Sequence, residues 1–428
     1  MILALLIPVA LAIAAVVEQS LIPAMLTADG VIVTLALLDM LLARKPAVTV
    51  TRHCKSTLSL ARPTTVTLEV RNLSRRRLTV QVQDALFASA ESQGCPVELE
   101  LEGGVVRRGA YRVRAMQRGL QKIGAHHVRY PSPGGLWIRQ LEIPASTELR
   151  VYPDVQAVRH YELLARQNRD HFKSRLTRMR GGDTEFERLR DYLPDDEFKR
   201  IDWKASARRR KLTVREYQLE RNQNIIFMLD CGRTMTAMWD GLTALDYALN
   251  ATLMLSHVAV QRGDQVGLIA FDEKVTRLIK PRAGISASNH IIQATYDLFP
   301  KMVEPDYETA FKTLRRHVTK RTLVVFISHA LDDVTARRFQ RLTRELLPRH
   351  LPLCVMLKDR EVQQRAITRA QDAEEVCIQA AAAEVLMWRE RIHTELRRAG
   401  VLVMDVLHRE LTGALVSRYL EVKARGLI

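Results

Sequence analysis

Cysteine is scarce in this 428-residue sequence: Cys54, Cys95, Cys231, Cys354 and Cys377 stand far apart, with no CxxC pair. That spacing excludes a zinc finger and a disulfide scaffold and leaves reduced, structural thiols. Catalytic signatures are equally missing. The chain has no P-loop GxxxxGK(S/T), no GxGxxG, no HExxH and no GxSxG, so nucleotide hydrolysis, dinucleotide binding, zinc proteolysis and α/β-hydrolase chemistry lack their residues. Acidic residues fall short of basic ones, 48 against 65, for a formal charge of +17. That sign suits nucleic acid, an anionic lipid surface or an acidic partner without choosing among them. What the chain does have is 47% hydrophobic and 26% charged residues, enough for ordinary cores in two or three domains of about 150 residues.

The N-terminus is nearly free of charge. Residues 2–17 are apolar with Pro8 as the only strong helix breaker, and residues 24–43 form a second apolar run interrupted by Asp29 and Asp39. At about 1.5 Å per residue, each run approaches a hydrocarbon core of about 30 Å, which predicts a transmembrane helical hairpin over residues 1–45. No Lys or Arg precedes the first run, so a retained anchor is expected rather than a cleaved signal peptide. Arg44, Lys45, Arg52, Lys55 and Arg62 follow without an intervening acid, whereas residues 18–29 carry two acids and no base. The positive-inside rule then puts everything beyond residue 44 in the cytoplasm.

Residues 46–157 alternate apolar and polar with period two, as at 65–70, 78–82 and 97–102. Broken by Asn72-Leu73-Ser74, Gly103-Gly104 and the Pro131–Gly135 turn, they read as short antiparallel strands of a small β-sandwich-like domain. His126 and His127 are neighbours on a strand and point to opposite faces, which disfavours a shared metal ion. Residues 158–223 open with a basic stretch, 166–180, that fits a solvated helix, then interleave acids and bases around Phe186, Tyr192 and Trp203, as in a polar network clamped by aromatics. Residues 224–428 alternate strands (224–229, 265–271, 322–328, 351–357, 401–407) with helices (244–260, 288–298, 308–317, 335–347, 372–398 and one closing near 425), the pattern of a mostly parallel sheet covered on both faces. In such α/β sheets ligands sit beyond the carboxyl ends of the strands, which directs attention to Asp230 and Ser328 onward.

The run from Phe186-Glu187 through Arg190, Tyr192 and Asp195-Asp196 to Arg200-Ile201-Asp202-Trp203-Lys204-Ala205-Ser206-Ala207-Arg208, followed by Leu212 and Val214–Tyr217, resembles the DUF58 family of bacterial membrane-anchored proteins. Arg118-Gly119, Pro133–Trp137, Val151–Pro153 and Tyr419–Gly426 extend the resemblance over nearly the whole chain. The resemblance implies an α/β, von Willebrand factor A-like doubly wound sheet at residues 224–428. It also implies the inner (cytoplasmic) membrane as location, and Arg190, Tyr192, Arg200, Asp202, Trp203 and Arg208 as a signature network.

It further implies a metal-ion-dependent adhesion site, of the form DxSxS with a later Thr and Asp. Here Asp230, Thr234 and Thr309 match, but Gly232 lacks one hydroxyl and His329 replaces the later acid, with Asp332 and Asp333 close behind. A Mg²⁺ ion wants six oxygens in octahedral order. The residues therefore leave two readings, a degenerate Mg²⁺ site or, favoured, a metal-free loop in which Asp230 bonds to backbone N–H groups and Arg233 supplies the cation. Cys231 has no neighbouring His to activate it and reads as a packed thiol.

The function expected is a non-enzymatic, membrane-anchored interaction module that presents Asp230, Arg233, Thr234, His329 and Asp332 to a partner. Through the resemblance, that partner is a MoxR-type AAA+ ATPase acting in complex assembly or maturation. The alternative is a nucleic-acid or phosphate-binding protein using Arg208-Arg209-Arg210-Lys211.

Overall fold

The computed structural model describes residues 22–43, 47–153, 185–193, 198, 201–218, 222–329, 333–347 and 349–427. The chain divides into two compact units, Met1–Tyr152 and Pro153–Ile428. The expected first apolar span (2–17), the basic stretch 166–180, Arg200 and Asp332 lie outside the described residues.

The first unit begins with helix α1 (Ile22–Leu42), 21 residues of apolar sequence in which only Asp39 is buried. Among the described residues it is the one helix long and apolar enough to cross a membrane. Behind it, the period-two sequence forms two four-stranded sheets and one three-stranded sheet. Alternation becomes burial: Val66, Leu68 and Val70 of strand Pro63–Asn72, and Leu78, Val80 and Val82 of strand Leu78–Asp84, are all inside, as the pleat requires. One pairing is parallel, Leu58 opposite Val151, where antiparallel strands alone were expected.

A buried carboxylate joins the three sheets. Asp84 accepts Arg52 Nε at 2.9 Å, Tyr111 Oη at 2.6 Å and a bond with His126 Nδ1 at 2.5 Å. Arg52 continues to Gly124 O at 2.6 Å and Thr147 Oγ1 at 3.0 Å. Burial alone would raise the Asp84 pKa, but the bonds from His126, Arg52 and Tyr111 outweigh it and hold the carboxyl below its usual range. His126 is thus a structural residue. His127 is half-buried on the opposite face, where it lines a cavity of about 300 Å³ with Gln81, Gln83 and Arg129.

In the second unit six strands make the central sheet: β1 (Asn224–Asp230), β2 (Gln265–Phe271), β3 (Val275–Arg282), β4 (Thr322–Ser328), β5 (Leu351–Lys358) and β6 (Leu402–Leu407), in the order β3-β2-β1-β4-β5-β6. All neighbours are parallel except β2 and β3. The antiparallel edge strand β3 was not legible, because Val-Thr-Arg-Leu-Ile-Lys-Pro-Arg mixes polarities and carries a proline of the kind confined to sheet edges. Every residue of β1 is buried, with alternate side chains serving opposite layers. Ile225, Phe227 and Leu229 pack with helices Ala244–Gln261 and Leu411–Ala424, whereas Ile226 and Met228 pack with helices Tyr307–His317, Asp333–Arg344 and Ala373–Arg398. The result is a sheet between two helical layers, with the switch in strand order between β1 and β4.

The opposite end of the sheet is locked by a buried ion pair. Tyr419 and Lys423, one turn apart on the last helix, both reach Asp264 just before β2: Lys423 Nζ lies 2.6 Å from each carboxylate oxygen and Tyr419 Oη 2.5 Å from Oδ2. Lys423→Met leaves the Asp264 charge buried with only the tyrosine, and is expected to lower unfolding free energy in urea by about 3–5 kcal/mol. Adding Asp264→Leu should recover most of that loss; a double variant no more stable than the single would refute the pairing.

Candidate functional site

The carboxyl ends of β1 and β4 meet at the switch in strand order, and there the sequence places Asp230 and Ser328. Asp230 is fully buried. Its Oδ1 accepts Gly232 N at 2.8 Å, and its Oδ2 accepts Tyr307 Oη at 2.8 Å and Ser328 Oγ at 2.9 Å. Burial pushes its pKa up; these three bonds oppose that, and the charge of Glu304 adds to the rise. Asp230 therefore corrects the expectation that it faces a partner: it is the peg around which the rim is built. The bond to Gly232 N is the local backbone bond expected of a metal-free loop.

A second loop covers this position. Lys301 N donates to Cys231 O at 2.8 Å, Arg233 N donates to Val303 O at 3.0 Å, and Arg233 Nε bonds to Glu304. Below them Lys301 Nζ is 2.7 Å from buried Asp272 at the end of β2. A Cβ on residue 232 would come within 2.8 Å of Pro305 Cδ and 2.9 Å of Val303 O, so the serine of a DxSxS motif does not fit under this covering.

The expected metal ligands are not assembled. Thr309 lies in the first turn of helix Tyr307–His317, where its hydroxyl donates to Asp306 Oδ2 at 2.5 Å. Tyr307, two residues earlier, is the group that reaches Asp230. Thr234 Oγ1 is buried without a hydrogen-bond partner. Among the described residues, no cluster of three or more His, Cys, Asp or Glu is placed to hold a metal. Asp230 itself is saturated by protein donors, a poor match to an open ligand for Mg²⁺.

The neighbouring stretch of rim is aromatic. His329 follows β4 and bonds to the Thr234 backbone; burial, reinforced by the charge of Arg389, pushes its imidazole down to about 4, so it is neutral at pH 7. Its ring meets Trp239 edge-on at 5.0 Å, and Trp239 stacks on His408, which follows β6, at 5.0 Å and 6°. Tyr247 closes the group through its ring contact with His408 and its hydroxyl bond to Trp239 O. Arg409 grips Asp240 with two guanidinium bonds of 2.8 Å. Sequence reading missed Tyr307, Trp239, Tyr247 and His408. His408 alone had a signal, its place directly after a strand.

Among the described residues that face water here are Arg233, half exposed beside Glu304; Met302, 79% exposed and in contact with Thr236; and Met238, 63% exposed. Cys231 is sealed, with its Sγ against Leu229 O. Of the signature residues, Asp202 caps helix Trp203–Arg209 by accepting Ala205 N at 3.0 Å. Trp203 is exposed and meets Phe198 edge-on at 5.4 Å. Tyr192 is half-buried, Arg208 is exposed, and Arg190 lies on strand Glu185–Asp191.

A family model described as "Protein of unknown function DUF58" matches residues 188–404. The "Uncharacterized protein YeaD" of Bacillus subtilis (strain 168) is 24% identical over 165 residues, 39% of this chain and 39% of that protein, so the match spans well under half of the relative. Among solved structures, BatB from Bacteroides thetaiotaomicron aligns with TM-score 0.31 and 13% identity over 48% of this chain and 100% of that one. Proximal thread matrix protein 1 of the mussel byssus aligns with TM-score 0.30 and 14% identity over 47% of each. Scores this low carry no argument.

The raised pKa of Asp230 fixes a sign. The fold favours the neutral acid, so stability is greatest below the unfolded value of about 3.9 and is lost as pH rises through the higher folded value. Asp230→Asn is expected to flatten that slope in urea unfolding between pH 4 and 8, whereas Asp230→Ala strands three donors and should cost about 3 kcal/mol or more. An Asn variant with the wild-type slope would show that this carboxyl does not titrate as described.

Proposed function

The chain belongs to the DUF58 family, and on that premise we propose that it is a membrane-anchored, non-enzymatic interaction module. In this reading α1 is retained in the bacterial inner membrane with both units on the cytoplasmic side. The second unit acts as a von Willebrand factor A-like domain, and the partner is a MoxR-type AAA+ ATPase in complex assembly or maturation. The observation that carries the reading is the rim itself. The position where a metal would be exposed is covered by residues 301–305, and a firmly bonded loop holds Met302, Met238 and Arg233 toward solvent. Exposed methionine beside an arginine and a carboxylate fits a protein surface.

The test is recovery of a MoxR-type ATPase, identified by mass spectrometry, with the full chain from detergent-solubilised membranes. Met302→Asp and Arg233→Glu, both solvent-facing, are expected to reduce recovery about tenfold, equivalent to about 1.4 kcal/mol. Undiminished recovery with both variants would remove the rim from the interface.

A second reading has one observation in its favour: Arg208, Arg209, Arg210 and Lys211 are all exposed. If they bind nucleic acid, affinity for duplex DNA must fall steeply with salt as counterions are released. A flat dependence, or no binding at about 50 mM salt, eliminates it.

A further inference from the structure

We propose that the hairpin tip at residues 132–138 is a lipid contact, seating the first unit at the headgroup boundary of the bilayer that α1 crosses. The inference rests on the anchor reading above.

It begins with Asp39, an acid in the last turn of an apolar helix. Intramembrane acids are costly unless partnered, and this one is fully engaged by the hairpin between strands His126–Pro131 and Ile138–Ile143. Ser132 Oγ donates to its Oδ2 at 2.5 Å, Gly134 N to its Oδ1 at 2.6 Å and Leu136 N to its Oδ2 at 3.1 Å. The approach is so close that a Cβ on Gly134 would sit 3.0 Å from the Asp39 Cγ. A second bond lies one turn deeper: Trp137 Nε1 donates to Ala36 O at 2.9 Å. Ala36 is six residues before the helix end at Leu42, a rise of about 9 Å.

The tip is therefore level with the last two turns of a helix only just long enough to span. At that level it exposes apolar surface: Trp137 is 48% and Ile138 77% exposed. An indole whose N–H is already satisfied, with an open ring face beside an apolar helix, is suited to the interfacial belt where tryptophan concentrates. At the base of the tip, the Arg76 guanidinium donates to Ser132 O at 2.6 Å and Pro131 O at 2.9 Å, which puts a cation beside it. A cation there is attracted to anionic headgroups.

The full chain, reconstituted in phosphatidylcholine–phosphatidylglycerol vesicles, tests this with lipids brominated near the headgroup as fluorescence quenchers. Wild-type emission should be quenched, Trp137→Phe should lose that component, and Ile138→Asp, which leaves the indole in place, should weaken it, with all three proteins resistant to alkaline carbonate extraction. Equal quenching of wild type and Trp137→Phe in carbonate-resistant protein overturns the lipid contact and leaves the anchor standing. Extraction of the wild type by carbonate overturns the anchor reading and this inference with it.

Discussion

A carboxyl group taken out of water must find hydrogen-bonding partners, because a buried polar group left unsatisfied costs about 1–3 kcal/mol and an unpaired charge more. The chain meets this constraint at Asp39, Asp84, Asp230 and Asp264, each at most 5% exposed. In every case donors come from segments distant in sequence: the hairpin for Asp39, two other strands and Arg52 for Asp84, Tyr307 and Ser328 for Asp230, the closing helix for Asp264. Apolar packing fills these units, but it tolerates exchange of one side chain for another of like volume. The acids are less forgiving, since a carboxylate is satisfied only when its donors arrive together. They fix which strand ends, loops and helices converge.

At the rim this constraint decides what the surface becomes. Metal-binding loops need oxygens that are held in place yet still open to the ion. Here Asp230 is closed over by Tyr307, Ser328 and Gly232 N, and the loop at 301–305 occupies the space above it. Glycine at 232 permits this covering, since a Cβ there would meet Pro305 Cδ at 2.8 Å and Val303 O at 2.9 Å. The loop is ordered by Tyr307 and by the Arg233 and Lys301 backbone bonds.

Much of the layered architecture was legible in sequence because burial on both sides makes β1, β4 and β5 continuous apolar runs, and because the helices between them have their own period. The β-rich segment announced itself by alternation and turns. Asp230 was visible as the residue after the first such strand. So was its partner Ser328, at the end of β4, but Tyr307 was not: it opens a helix 77 residues later, where nothing in local pattern separates it from an ordinary core tyrosine. The aromatic group of Trp239, Tyr247, His329 and His408 was hidden for the same reason, being assembled only when β4 and β6 bring their ends to one rim. Asp39 read as an interruption of an apolar run, since the donors that justify it lie more than 90 residues away.

The chemical character of the rim follows from where its reactive groups end up. Cys231 is enclosed against Leu229 O, far from any role as a thiolate nucleophile, which needs access and a stabilising positive neighbour. His329 is held neutral by burial, and His408 lies face to face with Trp239. Asp230 and Tyr307 hydrogen-bond to each other beneath the covering loop. Each of these groups is thus engaged with a neighbour, and the exposed side chains among the described residues of this rim include Met238, Met302, Arg233 and Glu304.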